Sequence, residues 1–332
     1  MSAPSSEALS AAPRSEQRPA WWRRFGGELI ASAYIAVIAT IAALSGAYYV
    51  MFPELGALSH EVLTRPSGRW ARSPLMLVVT PALTGLIGII FTRVMPYGYI
   101  SVLLTVAGAV SVIELMGSPI APAISAGLLP LVIGITSWWY PVGIVIGTVL
   151  LALTSTPWKR LIASAGPSDT APAENRIDAL IATPPAARYW VGALFGFVLI
   201  MMTLVKLTGL RFILFPPLVV IAFEMLGHPN YCPWVRRVWM LPLVCFLTAA
   251  GGLFFLKLFG FGPATAACTM AWGIVVLRVC DIHVPPALAV GLLPLVMNHP
   301  GPMYPVSVAL GTTSITLWFM GYRRLLEAHT VQ

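Results

Sequence analysis

Asp281-Ile-His-Val-Pro-Pro-Ala-Leu-Ala-Val-Gly-Leu-Leu-Pro-Leu-Val296 holds an acid, a histidine and a proline pair, then runs into uninterrupted apolar sequence. A second version, Ser118-Pro-Ile-Ala-Pro-Ala-Ile-Ser-Ala-Gly-Leu-Leu-Pro-Leu-Val132, lies 164 residues upstream, and Gly-Leu-Leu-Pro-Leu-Val is identical in both. The matches continue outward from this pair. At the same offset Trp70 matches Trp234, Arg72 matches Arg236, Thr84 matches Thr248, Gly88 matches Gly252, and Tyr140-Pro-Val142 matches Tyr304-Pro-Val306. One residue out of that register, Phe52-Pro53 matches Phe215-Pro216, Glu61 matches Glu224 and Pro66 matches Pro229. Apolar helices resemble one another by chance, whereas Trp, Arg, Glu and Pro matches in register do not. The chain reads as an internal duplication.

The 332 residues are 58% hydrophobic and only 10% charged, with a mean hydropathy of +0.84. Soluble domains carry about 25% charged residues, so the solvent is a lipid bilayer. Outer-membrane barrels alternate apolar and polar residues in segments of about ten; here runs such as Leu29 to Met51 are continuous and longer. The reading is an all-α polytopic membrane protein. A net charge of +8 suggests nucleic acid only where Lys and Arg form a face, and here they fill the gaps between apolar runs. Cys232, Cys245, Cys268 and Cys280 have no metal-like spacing and read as small buried hydrophobes.

Apolar segments fall at 27–50, 52–64, 74–92, 98–116, 119–136 and 139–155, then at 189–209, 212–227, 238–258, 262–280, 282–297 and 303–321. This gives a disordered tail (1–26), a first membrane repeat (27–155), a Pro/Ala/Ser linker (156–188), a second repeat (189–322) and a short tail (323–332). Trp21-Trp-Arg-Arg24 reads as an interface anchor. If every segment crosses and the N-terminus is cytoplasmic, Arg93, Lys206, Arg211 and Lys257 alone among the Lys and Arg fall at the outer side. The positive-inside bias therefore favours two parallel repeats of about six segments, in a cell (inner) membrane, with linker and both termini cytoplasmic.

Segments 2 and 5 of each repeat are short and proline-led, yet a spanning helix needs about 20 residues. A broken segment reconciles the two, with an extended stretch leading into a helix that begins at Pro53, Pro122, Pro216 or Pro286. Proline suits a first helical turn, where its missing N–H costs nothing. Irregular backbone at that depth must be covered by protein or meet a cavity. Helix N-termini attract anions, and half-helices meeting at mid-bilayer are a transporter device. Phe215-Pro216-Pro217 and His283, Pro285, Pro286 and Ala287, with Pro122 in the first half, are thus candidate substrate-binding residues. The rival reading is that these prolines kink ordinary helices.

Ionisable groups inside apolar runs are functional candidates because they are costly there. Glu54, Glu61, Glu224 and Asp281 are candidates for proton coupling or gating. For Glu61 and Glu224, pairing with nearby Arg72 and Arg236 is an equal reading. Glu114 and Arg278 are repeat-equivalent and opposite in charge, which suggests a structural ion pair across a pseudo-two-fold axis. His283 titrates near neutral pH when unperturbed and sits before a helix start, so it either carries a proton or packs against a carbonyl. Glu54 stands where the other half has Pro217; a carboxylate there caps its own helix and repels an anion. Asn298-His-Pro-Gly-Pro302 reads as a turn. No nucleotide loop, zinc pair, nucleophile elbow or set of converging catalytic residues is present, so neither an enzyme nor a cofactor is expected.

The segments from Phe215 to Arg236 and His283-Val-Pro-Pro-Ala-Leu-Ala289 resemble the HPP family of integral membrane proteins, named for a His-Pro-Pro motif. The resemblance covers about residues 190–322 and more faintly 28–155. Val284 separates His283 from the prolines, and Pro119 stands at the histidine's place in the first half. Some plant and cyanobacterial members are associated with nitrite transport, so the resemblance implies a small-anion transporter. A secondary transporter or permease for nitrite or a small carboxylate, with possible proton coupling, is the resulting expectation. A membrane scaffold or sensor subunit without transport is the alternative, and no oligomeric state is read from the chain.

Overall fold

The computed structural model describes residues 20–164 and 189–330, so the tail before residue 20, the linker from 165 to 188 and the last two residues lie outside the described residues. Among the described residues all regular structure is helical. The helices are α1 (Ala20–Ser45), α2 (Glu54–Thr64), α3 (Pro74–Val94), α4 (Tyr99–Met116), α5 (Ala123–Ile133) and α6 (Trp139–Ser164), then α7 (Trp190–Thr208), α8 (Pro216–Gly227), α9 (Met240–Phe259), α10 (Pro263–Val279), α11 (Pro286–Leu292) and α12 (Met303–Thr330). A 3₁₀ turn, Leu293–Val296, prolongs α11. Each apolar run has become a helix close to its expected place. The ends differ: α1 begins at Ala20, inside the expected tail, while α6 and α12 run on to Ser164 and Thr330. Amphipathic ends with Trp158 and Tyr322 buried against the bundle keep these extensions helical.

Among the described residues six helices are long and apolar enough to cross a membrane (α1, α3, α4, α6, α7 and α9), which makes this a multi-pass membrane protein. They bury only a stripe. On α3 the buried positions are Leu77, Thr80, Pro81, Thr84, Gly85, Gly88 and Ile89, recurring at three- and four-residue spacing, while Leu75, Leu83, Leu86 and Ile90 face outward. That is the pattern of a helix with protein on one side and lipid on the other.

The short helices behave differently. The 11 residues of α2, at about 1.5 Å each, reach only about 16 Å, roughly half the hydrocarbon core. Their unwound flanks carry polar backbone that lipid cannot satisfy, and the fold places them where lipid does not reach. Every residue from Glu54 to Leu63, Ala123 to Val132, Pro216 to Gly227 and Pro286 to Leu292 is buried. The halves join centrally through α2 against α11 and α5 against α8, and peripherally through α1 against α10 and α4 against α7.

Close contacts recur at the 164-residue offset. A Cβ on Gly88 would lie 2.0 Å from the Gly127 carbonyl oxygen, and one on Gly252 would lie 1.8 Å from that of Gly291. Lipid tails give apolar helices little reason to associate, so such small-residue contacts are where membrane helices gain packing. Tyr140 donates to the Ala126 carbonyl at 2.9 Å, and Tyr304 to the Val290 carbonyl at 2.6 Å.

Candidate functional site

The proline-led helices begin where the sequence places them: Pro53 and Pro122 cap α2 and α5, α8 starts at Pro216, and α11 starts at Pro286. Their amides, however, are not bare. Ala287 N–H donates to Val284 O and Leu288 N–H to Pro285 O. Leu218 N–H donates to Phe215 O, Leu55 N–H to Phe52 O, and Ser125 N–H to Pro122 O. Three-residue turns and N–H-free prolines thus close the helix starts locally. An anion site made of exposed helix amides does not form at these helix starts.

The polar centre lies elsewhere, at the C-terminal ends of α2 and α8 and the approach to α11. Glu61, Arg65, Arg69, Trp70, Glu224, Trp234 and His283 surround a cavity of about 40 Å³, with Val220, Pro233, Pro285 and Pro286 as its apolar wall. That is room for a few water molecules. The side chains pair across the two halves: His283 Nε2 lies 2.9 Å from Glu61 Oε2, and Arg69 Nη2 lies 2.7 Å from Glu224 Oε1. Within each half, Glu61 pairs with Arg65 at 2.6 Å and Glu224 lies 3.7 Å from His228, both at i,i+4 spacing. The Glu61 and Glu224 side chains are at most 10% exposed, so each carboxylate depends on its arginine.

No protein-family model matches the chain, and no curated protein or solved structure matches it either.

Of the sequence candidates, the fold gathers His283, Pro285, Pro286, Glu61 and Glu224 at the cavity. It leaves out Phe215, Pro216, Pro217, Pro122 and Ala287. Phe215 instead lies against Gly311 of α12 and is fully buried. The glutamates' partners are Arg65 and Arg69 rather than Arg72 and Arg236, because the i,i+4 position on α2 and the turn after it come closer than the start of α3. Glu54 lies outside the cavity. It is 1% exposed and accepts a hydrogen bond from Ser125 of α5, so the starts of α2 and α5 do meet.

Two expectations are corrected. Asp281 is an exposed turn residue (φ 47°) whose carboxylate, 82% accessible, faces Arg237 at 3.1 Å, so it is no intramembrane acid. Arg278 does not pair with Glu114, which is exposed. Its guanidinium grips Glu28 of α1 through both carboxylate oxygens, one from Nε at 3.1 Å. The packing of α1 on α10 brings these two groups together. His60 adds its Nε2 at 3.9 Å from Glu28, and the His60 and His283 ring centroids are 6.4 Å apart, so this second cluster runs up to the cavity.

At the far end of the bundle, Arg211 donates to Leu131 O and Arg93 to Thr136 O, both at 2.7 Å. These cations complement the C-terminal dipole of α5. Arg211 also stacks over Tyr97 at 4.1 Å, where burial pushes the phenol up to about 12.

Trp70 and Trp234 are the site residues that sequence reasoning passed over as mere markers of duplication. Both are at least nine-tenths buried, and among the described residues neither indole N–H has a hydrogen-bond partner. Leaving such a donor unmade costs about 1–3 kcal/mol. The signal was present in Trp70-Ala-Arg72 and Trp234-Val-Arg236, where a donor recurs just past each buried glutamate.

Proposed function

We propose that the chain is a duplicated secondary transporter for a small anion, with its substrate passing the cavity where α2, α8 and α11 converge. The duplication, two parallel repeats of six segments, is supported by the recurrence of Gly88 on Gly127 as Gly252 on Gly291, and of the Tyr140 and Tyr304 hydrogen bonds. One observation carries the functional reading: two buried carboxylates, Glu61 and Glu224, meet His283 and Arg69 across the junction of the halves, around a small polar cavity. Ion pairs inside a membrane are costly and mark transport pathways. Pairs that link two rocking halves can also be exchanged as access alternates.

His283 faces Glu61 at 2.9 Å and the His60 ring at 6.4 Å, and an exchangeable proton among these groups would couple the anion's passage to a pH gradient. The His283-Val-Pro-Pro286 resemblance to the HPP family makes nitrite the first substrate to test, and the positive-inside bias puts the cavity near the cytoplasmic side.

A scaffold or sensor role is the second reading, favoured by the locally closed helix starts and the burial of every residue of α8. Purified protein in proteoliposomes separates the two. The transporter takes up nitrite or formate well above empty vesicles, whereas a scaffold leaves uptake at the empty-vesicle level.

A further inference from the structure

We propose that Trp70 and Trp234 are the two jaws of an anion clamp, with their indole N–H groups holding one small monovalent anion beside Arg65, Arg69 and His283. The proposal rests on the transporter reading and specifies its binding site. Trp70 sits in the turn between α2 and α3, and Trp234 in the corresponding 3₁₀ turn, Pro233–Arg237, between α8 and α9. Both side chains line the same cavity, are 7% and 5% exposed, and keep their Nε1 atoms without a partner among the described residues.

The chemistry selects an anion. An indole N–H and a guanidinium donate hydrogen bonds and accept none, so four of the cavity's polar side chains offer only donors. The carboxylates that would attract a cation are already engaged, Glu61 by Arg65 and His283 and Glu224 by Arg69. A cavity of about 40 Å³, with room for a few waters, suits an anion of three heavy atoms such as nitrite or formate. It does not suit an aromatic carboxylate. The indoles come from opposite halves, so a bound anion bridges the repeats, and rocking of the halves opens the clamp on one side.

The test is nitrite titration of the full chain in nanodiscs, reading ¹⁵N-indole signals by NMR, with benzoate as the oversized control. In the unaltered chain the Trp70 and Trp234 signals shift saturably with nitrite and stay still with benzoate. Trp70→Phe and Trp234→Phe keep an aromatic ring and lose the N–H, and each weakens nitrite binding by roughly tenfold, the worth of one hydrogen bond to a charged group. Trp190→Phe, at a ring that meets Phe223 edge-on at 5.4 Å and does not line the cavity, binds as the unaltered chain does. Indole signals indifferent to nitrite, or both Phe variants binding at full strength, overturn the clamp. Full-rate nitrite transport by both variants also overturns it while leaving the transporter reading standing. Shifted indoles without any uptake leave the binding site intact and remove transport.

Discussion

Glu61 lies in the last turn of α2 in the first half of the chain, His283 precedes α11 in the second, and their Oε2 and Nε2 atoms lie 2.9 Å apart. With Arg69 and Glu224 at 2.7 Å, this contact ties the halves through charges held inside a protein core. Each carboxylate there is tolerable only while its partners stay.

Removing one partner therefore harms more than removing both. Arg69→Met leaves Glu224 buried without its guanidinium and lowers stability by about 3–5 kcal/mol, whereas Arg69→Met with Glu224→Leu recovers most of that loss. Thermal unfolding of the purified single and double variants checks the order.

The glycine contacts give a sharper packing test. Gly252→Ala drives a methyl group into the Gly291 carbonyl, so α9 must move off α11, at a cost of about 1–3 kcal/mol. Gly321→Ala meets nothing within 4 Å on α12 and gains up to about 1 kcal/mol from helix propensity. A fall in Tm for the first variant and none for the second is the expected pattern.

The reassigned ion pair is open to the same measurement. Glu28→Gln removes the carboxylate that Arg278 grips and lowers stability by about 1–3 kcal/mol. Glu114→Gln, at an exposed position, stays within about 0.5 kcal/mol of the unaltered chain. The opposite ranking would restore Glu114 as the partner.

These cases show what was legible in the sequence. Proline announces a helix start by what it lacks, so the beginnings of α2, α5, α8 and α11 were readable at Pro53, Pro122, Pro216 and Pro286. Matched Trp, Gly and Tyr residues pointed to a duplication, but not to the hydrogen bonds the tyrosines make. Partner choice was not legible, because matching positions in the sequence say nothing of which helix faces which. Only the packing of α1 on α10 selects Glu28, which no match between the two halves singles out. The closed helix starts were hidden for a local reason: a three-residue turn such as Val284 to Ala287 consumes the amides that a proline start seems to leave free.

The tyrosine hydrogen bonds test the equivalence of the halves. Tyr140→Phe and Tyr304→Phe each lose one buried bond to a helix carbonyl, and each costs about 1 kcal/mol. Duplicated packing predicts equal losses, read as equal falls in the midpoint of thermal unfolding.

The most direct test of the central claim compares pH-gradient-driven nitrite uptake into proteoliposomes for the unaltered chain, His283→Gln and Asp281→Asn. The account predicts uptake by the unaltered chain, its loss in His283→Gln, and full retention in Asp281→Asn, whose carboxylate faces solvent. Undiminished uptake by His283→Gln, or none by the unaltered chain, would contradict it.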